Sequence, residues 1–167
     1  GEVTVQVAEV YEQGACGGAY VITRTFTAVD ACGNSNSAVQ TITQQDTTAP
    51  LLDVASDVTI ECDEPSPAAE YTASDACGAV TVEVSEEIVP GSCPQSMTIV
   101  RTYIATDDCG NATSATQTIE VVDTTAPIFT YTPESTSIAY EAEGDTLAAP
   151  FVVVIDNCDT EASWSVE

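Results

Sequence analysis

Positive charge is nearly absent from this sequence. The 167 residues contain no histidine and no lysine, and two arginines stand against 27 acidic residues, which gives a formal charge of −25. Because phosphate groups are bound by clustered lysine and arginine, we expect neither nucleic acid nor an anionic membrane surface as a partner. Without histidine or lysine the usual catalytic bases are missing, and no serine nucleophile motif is present, so we expect no enzyme.

Long hydrophobic runs are missing as well. Hydrophobic residues make up 44% of the chain, which is too many for a disordered acidic tail. They occur in short runs that never approach the ~20 consecutive apolar residues of a membrane-spanning helix. The sequence therefore predicts a folded chain without membrane insertion.

Cysteine, in contrast, is frequent. Zinc sites favour close pairs such as Cys-x2-Cys, or cysteine combined with histidine. The seven cysteines of this chain are instead widely spaced, at Cys16, Cys32, Cys62, Cys77, Cys93, Cys109 and Cys158. Even the two that lie nearest in sequence, Cys62 and Cys77, are too far apart for such a motif. This spacing favours disulfides in an oxidising, extracellular compartment over zinc.

The chain repeats itself at a fixed interval. The segment "RTFTAVDACGNSNSAVQTITQQDTTAP" (24–50) returns as "RTYIATDDCGNATSATQTIEVVDTTAP" (101–127), so position 24 corresponds to position 101. A fixed period of this length marks an array of structural repeats. The predicted units are the C-terminal half of one repeat (1–46), a complete repeat (47–123) and the N-terminal half of a third (124–167).

Within a repeat, the pattern is that of short β-strands. The run "VTVEV" (80–84) alternates apolar and polar residues, proline and glycine cluster between apolar runs, and helical spacing is not sustained anywhere. Short strands with frequent turn signals predict an all-β fold of tandem immunoglobulin-like β-sandwich modules joined end to end. The predicted strands of the complete repeat are A (51–62), B (69–75), C (80–89), F (97–107) and G (113–122), with a hairpin turn between F and G.

This topology predicts two disulfides within the complete repeat. The B–C and F–G loops share one end of an immunoglobulin-like sandwich, which brings Cys77 and Cys109 together. The A–B and C–F loops share the other end, which brings Cys62 and Cys93 together. Each disulfide closes a loop of about 32 residues and is expected to contribute roughly 3–4 kcal/mol.

The partners of Cys16, Cys32 and Cys158 are expected in halves of repeats that lie outside this sequence. A disulfide between Cys16 and Cys32 is the competing arrangement, and it requires those halves to rearrange. Cys158 corresponds to Cys77 but lies slightly more than one period after it, so the third repeat is slightly longer. Tyr140 stands where the strand A cysteine is expected, so the third repeat is expected to lack one disulfide.

Several short motifs resemble a known module. "DTTAP" at the start of a repeat, "ATDDCGN" before a hairpin turn and "SDACG" followed by "VTV" resemble the hyalin repeat, an extracellular immunoglobulin-like module. The cysteine-rich form resembles the tandem repeats of giant cell-surface adhesins of Bacteroidetes, including gliding-motility adhesins exported by type IX secretion. The resemblance covers essentially the whole chain. It implies an extracellular location on the bacterial cell surface, with neighbouring repeats as partners and surface polysaccharide or other cell-surface proteins as further ones.

Acidic residues recur where successive repeats are expected to meet, because the "DTTAP" segment joins the end of one repeat to the start of the next. The residues expected at the two junctions are Asp46, Asp75, Asp107 and Asn111, and then Asp123 and Asp156. Calcium takes 6–8 oxygen ligands from such groups, so Ca²⁺ is a predicted cofactor that stiffens the array. Alternatively, these residues only form turns and cap free N–H groups.

Two further features concern single residues. Arg24 and Arg101 occupy equivalent positions on the apolar side of their strands, where an unpaired charge is costly, so we expect each to pair with a carboxylate or to extend its guanidinium to the rim of the core. Glu61 and Glu83 are the candidates. The tripeptides "DTT" and "DTL" resemble the short O-glycosylation signal of Bacteroidetes, which implies sugars on Thr47, Thr124 and Thr146.

These features predict a structural segment of a long extracellular bacterial adhesin or filament. Its repeats would form a disulfide-stabilised, calcium-stiffened stalk that projects an adhesive surface. Two other functions remain open: a carbohydrate-binding appendage of a secreted enzyme, and a protein-binding coat or assembly module.

Overall fold

The computed structural model describes residues 1–132 and 152–159, and in these ranges the chain forms β-strands and no helix. The strands are β1 (Val3–Gln13), β2 (Tyr20–Asp30), β3 (Ser35–Gln44), β4 (Leu51–Val54), β5 (Val58–Glu61), β6 (Tyr71–Ser74), β7 (Val80–Pro90), β8 (Met97–Asp107), β9 (Ala112–Val122), β10 (Ile128–Tyr131) and β11 (Val153–Ile155). The all-β part of the prediction is confirmed. Within the same ranges, no helix is long and apolar enough to cross a membrane.

The period of the sequence is also a period of the strands. β1 and β7, β2 and β8, and β4 and β10 have the same lengths and lie one sequence period apart. β1, β2 and β3 form a three-stranded antiparallel sheet. The equivalent strands β7, β8 and β9 are neighbours in a four-stranded sheet with the order β5-β9-β8-β7. The smaller sheets repeat as well, since β4 pairs with β6 and β10 pairs with β11, both antiparallel.

The chain divides into two compact units, each assembled from separate segments. Unit 1 contains Gly1–Ala55, Ala69–Ser85 and Thr102–Gln117, and unit 2 contains Ser56–Ala68, Glu86–Arg101 and Thr118–Glu167. Each unit combines segments from two of the predicted repeats. The repeat boundaries at residues 46 and 123 therefore stay predictions from the sequence.

Predicted strand A consists of two strands. β4 pairs with β6, whereas β5 pairs in parallel with β9. Residues 55–57 lie between them outside any strand. Asp57 accepts a hydrogen bond from the backbone N–H of Thr118 at 2.7 Å, which fixes the start of β5 beside β9. A run of apolar residues shows a strand, but it does not show that the pairing partner changes within the run.

Side chains buried on alternate positions of β8 form the core of each unit. In unit 2, Ile99, Ile119 and Val121 are buried, with Ile60, Cys62 and Met97 packed against them. In unit 1, Tyr103 and Ala105 are fully buried. The rings of Tyr71 on β6 and Tyr103 on β8 pack in a T-shaped arrangement, with ring centroids 5.8 Å apart. The β4–β6 pair therefore covers the apolar side of β8 in unit 1.

The two arginines pair with carboxylates, as expected. Arg101 donates from Nε to Glu86 Oε1 at 2.7 Å and from Nη2 to the Pro67 carbonyl oxygen at 3.2 Å. Arg24 forms the equivalent ion pair with Glu9, which stands opposite it on the neighbouring strand. Neither glutamate was indicated by the sequence pattern, because the register of β1 against β2 decides which carboxylate faces the arginine.

Candidate functional site

The first candidate site lies in unit 1, where the β1–β2 loop meets the β8–β9 loop. Cys16 in the first loop and Cys109 in the second form a disulfide, with Cα atoms 5.0 Å apart. The β1–β2 loop is closed by two backbone hydrogen bonds, from Gly14 N–H to Ala19 O at 2.8 Å and from Ala19 N–H to Cys16 O at 3.2 Å. A cysteine of the predicted first repeat is thus bonded to a cysteine of the predicted second repeat.

Asp107 organises the β8–β9 loop that carries Cys109. Its Oδ1 accepts hydrogen bonds from the N–H groups of Cys109 and Asn111, both at 2.8 Å, and its Oδ2 accepts one from Asn111 Nδ2 at 2.9 Å. Gly110 adopts a φ of 88°, the left-handed conformation expected for this turn. Burial raises the pKa of Asp107, but the hydrogen bonds from Asn111, Cys109 and Gly110 together hold this pKa below its usual value.

We expect acid to weaken the β8–β9 loop as the pH falls through the lowered pKa of Asp107. A carboxylate with a lower pKa in the folded state stabilises the fold above its unfolded pKa, and this contribution is lost as pH falls through the folded pKa. Asp107→Asn should therefore bind about one proton fewer on acid unfolding. Urea titrations at several pH values below about 5 measure this as a flatter decline in stability.

A second variant tests whether the hydrogen bonds are the cause. Asn111→Ala removes one donor to Asp107, which should raise the pKa of Asp107 towards its usual value and give an intermediate slope. If Asp107→Asn and the unchanged protein lose stability with the same slope, the assignment of this acid dependence to Asp107 is refuted.

Three residues come together against the β1–β2 loop. A carboxylate oxygen of Asp46, a carboxylate oxygen of Asp75 and the Cys77 Sγ all lie within 4.8 Å of one another. Asn111 Nδ2 donates a hydrogen bond to the Asp46 carbonyl oxygen at 3.2 Å. The negative charge of Asp46, together with partial desolvation and the charges of Asp75 and Asp107, raises the pKa of the Cys77 thiol. This thiol therefore stays protonated at neutral pH.

The predicted Cys77–Cys109 disulfide is not formed. Cys109 is bonded to Cys16, and Cys77 is an exposed free thiol. The backbone of Cys77 packs so closely on the β1–β2 loop that a Cβ on Gly17 would lie 2.5 Å from the Cys77 carbonyl oxygen. A loop from the preceding repeat thus supplies the partner of Cys109, and glycine at position 17 is what permits this approach.

The second candidate site lies in unit 2, where the predicted Cys62–Cys93 disulfide is not formed. Cys62, directly after β5, is bonded to Cys158 of the predicted third repeat, with Cα atoms 5.7 Å apart, while Cys93 is an exposed free thiol. The Cys62 N–H donates to the Val122 carbonyl oxygen at 3.0 Å. The end of β5 therefore lies beside the end of β9, where the third repeat begins, and a cysteine of that repeat is the one within reach.

Acidic side chains surround this second disulfide. The carboxylates of Asp123, Asp156 and Asp159 lie within 4.8 Å of one another, and a second group of the same size contains Glu61, Asp123 and the Cys158 sulfur. The proximity of Asp123 and Asp156 was expected from the repeat. Glu61 and Asp159 were not expected, although Asp159 carries a signal because it replaces the glycine that follows the equivalent cysteine of the second repeat.

Each predicted aspartate also forms a turn with the chain that follows it. A carboxylate oxygen accepts a hydrogen bond, at 2.7–3.2 Å, from the N–H two residues later: Asp46 from Thr48, Asp75 from Cys77, Asp107 from Cys109, Asp123 from Thr125 and Asp156 from Cys158. These turns stabilise the loops without any cation.

The two acidic groups differ in how well they suit calcium. Ca²⁺ is a hard ion that takes oxygen ligands. The group of Asp123, Asp156 and Asp159 supplies three carboxylates, whereas the group of Asp46 and Asp75 includes the protonated thiol of Cys77. The donor set in unit 2 is therefore the better fit.

The predicted glycosylation residues lie partly outside the described ranges. Thr47 and Thr124 are exposed. The Thr124 hydroxyl donates a hydrogen bond to Glu61, and its N–H donates to Glu61 Oε2 at 3.2 Å. Thr146 and Tyr140 lie outside the described residues. Glycosylation stays a prediction at all three threonines.

Disulfide formation, rather than zinc binding, is confirmed for four of the seven cysteines. No family model and no curated protein matches the chain. Function is therefore inferred from the geometry of the two junctions and from the repeat in the sequence.

Proposed function

We propose that the chain is a structural segment of a long extracellular bacterial adhesin or filament, built as tandem immunoglobulin-like sandwiches and acting as a disulfide-stabilised stalk. One observation carries the proposal: both disulfides, Cys16–Cys109 and Cys62–Cys158, join a predicted repeat to the one after it. A disulfide within a repeat stabilises that repeat alone. A disulfide between repeats also carries tension past the linker that joins them.

The composition supports an exposed, extended setting. Disulfides persist in oxidising compartments and are rare in the cytosol, which favours a location outside the cytoplasm. The formal charge of −25 repels other acidic chains and keeps the repeats apart from neighbouring filaments. The location on a bacterial cell surface and the adhesive role are parts of the proposal that rest on the sequence resemblance.

The oxidised chain, pulled from its two ends, is expected to stretch less than half as far as the reduced chain. The two disulfides interlace, so about 70 residues of backbone remain extensible, or roughly 250 Å at about 3.5 Å per residue. Reduction frees all 167 residues, which reach roughly 580 Å. Single-molecule force spectroscopy on a chain tethered at Gly1 and Glu167 measures both lengths.

The same measurement distinguishes the two pairing schemes. Disulfides Cys77–Cys109 and Cys62–Cys93 would leave about 134 residues extensible, or roughly 470 Å. Cys32→Ser is the control, because Cys32 takes part in neither observed disulfide. Its replacement should change neither the oxidised nor the reduced extension. An oxidised chain that extends as far as the reduced chain would show that the disulfides do not limit extension. This result would contradict the proposed function as a disulfide-stabilised stalk.

We also propose that Ca²⁺ binds at Asp123, Asp156 and Asp159 and stiffens the junction in unit 2. Calcium at about 100 times its dissociation constant should stabilise this unit by about 2.7 kcal/mol, and EGTA should reverse the effect. Asp159→Asn removes one carboxylate without removing the turn at Asp156, so it should abolish the response. Thermal melting followed by circular dichroism is the measurement.

Magnesium at the same ionic strength is the control for charge screening. Mg²⁺ demands a smaller, nearly octahedral site, whereas it screens the excess negative charge as calcium does. An equal rise in melting temperature with both ions, or an undiminished rise in Asp159→Asn, would attribute the stabilisation to screening and remove the calcium site.

A further inference from the structure

The seven cysteines occupy four positions of the repeat, which we name by their place in the fold. They are the bend cysteines Cys16 and Cys93, the turn cysteines Cys32 and Cys109, the strand-end cysteine Cys62 and the loop cysteines Cys77 and Cys158. In the structure, a bend cysteine is bonded to the turn cysteine of the next repeat, and the strand-end cysteine to the loop cysteine of the next repeat. The two disulfides therefore follow one rule, from each repeat to its successor.

The three free cysteines occupy positions that are bonded elsewhere in the chain. Cys32 is a turn cysteine, Cys77 is a loop cysteine and Cys93 is a bend cysteine, and all three are exposed. Their counterparts at the same positions are all half of a disulfide. For each free cysteine, the rule assigns a partner in an adjoining repeat rather than another cysteine of these 167 residues.

The bend around Cys93 has the conformation of the bonded bend. Gly91 N–H donates to Ser96 O at 2.8 Å, and Ser96 N–H donates to Cys93 O at 3.2 Å, which are the distances of the equivalent pairs around Cys16. Gln95 has a φ of 67°, close to the 72° of the equivalent glycine in the first bend. Cys93 is therefore presented in the same way as a cysteine that forms a disulfide.

The turn around Cys32 likewise matches the bonded turn. Asp30 Oδ1 accepts hydrogen bonds from the N–H groups of Cys32 and Asn34, both at 2.9 Å, and Asp30 Oδ2 accepts one from Asn34 Nδ2 at 2.8 Å. The corresponding bonds around Cys109 connect the same atoms at nearly the same distances. Gly33 has a φ of 87°, against 88° in the bonded turn. Cys93 and Cys32 are thus held in the conformations of Cys16 and Cys109, which are the two halves of one observed disulfide.

We propose that Cys32, Cys77 and Cys93 are unfilled halves of the two observed kinds of disulfide, so that successive repeats are crosslinked from bend to turn and, where the strand-end cysteine is present, from strand end to loop. This inference deepens the proposed stalk and rests on its repeat array, but not on adhesion. Each crosslink forms from two thiols, which lose two protons and two electrons. A small-molecule disulfide such as oxidised glutathione accepts both and becomes two thiols.

Two exposed apolar surfaces indicate which partner can supply the missing half. On β1, Val3, Val5, Val7 and Tyr11 share one side of the strand and are 54–66% exposed. On the equivalent side of the complete repeat, Tyr71 of β6 packs on the fully buried Tyr103 of β8, and Val80 and Val82 of β7, the counterparts of Val3 and Val5, are half-buried. β10 is the equivalent of β4, and it exposes Phe129 and Tyr131, at 64% and 50%, where Leu52 and Val54 of β4 are half-buried.

A second copy of this chain therefore fits, bound head to tail. Its β1–β2–β3 sheet would lie under the β10–β11 pair of the first copy, as Tyr103 of β8 lies under Tyr71 of β6 in the complete repeat. The rule then joins Cys93 of the first copy to Cys32 of the second. Cys77 of the second copy remains a thiol in this arrangement, because its partner position in the third repeat is Tyr140 rather than cysteine.

The test is oxidation of the purified chain with oxidised glutathione, at high protein concentration and in about 1 M salt, where the screening length is roughly 3 Å and repulsion between acidic copies is suppressed. Products are separated without reduction and mapped by mass spectrometry after cleavage at acidic residues, since the chain has two arginines and no lysine. The expected product is a series of covalent oligomers whose main intermolecular linkage is Cys32–Cys93.

Matched serine variants make the result specific. Cys32→Ser and Cys93→Ser should each lose the oligomers when oxidised alone, and a mixture of the two should give a covalent dimer and nothing longer. Cys77→Ser should oligomerise as before. Oligomers in either single variant, Cys32–Cys32 or Cys93–Cys93 as the main linkage, or a chain that stays monomeric would overturn this inference. The stalk itself is tested separately, by the extension of the oxidised monomer.

Discussion

The double variant Cys16→Ser/Cys109→Ser is expected to lower the free energy of unfolding of the oxidised chain by about 4.6 kcal/mol, from the loop-closure entropy of the long loop that this disulfide closes. The Cys62–Cys158 disulfide closes a loop of nearly the same length and should contribute a similar amount. Because a whole domain is typically stable by about 5–15 kcal/mol, either loss should leave one unit close to unfolding.

Hydrogen exchange measured by mass spectrometry resolves the two units. Removal of Cys16 and Cys109 should accelerate exchange in β1, β2 and β3 of unit 1, whereas removal of Cys62 and Cys158 should accelerate it in β5 and β10 of unit 2. Cys77→Ser changes an exposed free thiol and should shift stability by less than about 0.5 kcal/mol. Unchanged exchange in both double variants would mean that neither disulfide stabilises the folded chain.

The repeat and the strands could be predicted from the sequence because both depend on local pattern. The sequence period gives β1 and β7 the same length and the same offset from the next strand. Arg101 was expected on the apolar side of its strand, and it shares the buried side of β8 with Ile99, Tyr103 and Ala105. The break between β4 and β5 could not be predicted, because it depends on which strand each half pairs with.

The predicted disulfide pairing was wrong because it placed both cysteines of each disulfide in the same repeat. The same topology places the loop of Cys16 at the end of its repeat that faces the next one, where Cys77 and Cys109 were both expected. A disulfide across the junction between repeats could therefore have been predicted from the sequence. Whether Cys77 or Cys109 bonds to Cys16 could not have been predicted, because it depends on the close approach of Gly17 to the backbone of Cys77.

The acidic residues of the two junctions also differ in whether their positions could be predicted from the sequence. Asp46 and Asp75 could be placed together because the short segment "DTTAP" leaves the chain little freedom between repeats. Glu61 could not be placed at the second junction, because its position depends on β5 running parallel to β9. Its hydrogen bonds to Thr124 then tie the end of strand β5 to the start of the third repeat.

The equivalent ion pairs of the two repeats provide the second large prediction. Glu86→Gln should lower the free energy of unfolding by about 2–3 kcal/mol, whereas Glu9→Gln should cost less than about 1 kcal/mol. The reason is burial, since the Arg101 side chain is 5% exposed and that of Arg24 is 36% exposed. A buried guanidinium that loses its carboxylate keeps its charge without the water that would compensate it. Urea denaturation of the oxidised variants measures both costs.

Covering the first sheet should remove this difference. In covalent oligomers joined through Cys32 and Cys93, the third repeat of one copy would cover the first sheet of the next and bury Arg24, so the cost of Glu9→Gln should rise towards that of Glu86→Gln. The isolated chain is the matched control, because its Arg24 stays partly hydrated. Equal costs for Glu9→Gln and Glu86→Gln in the isolated chain would show that burial does not set the strength of these pairs, whereas an unchanged cost of Glu9→Gln in the oligomer would mean that the crosslinked copies leave the first sheet open.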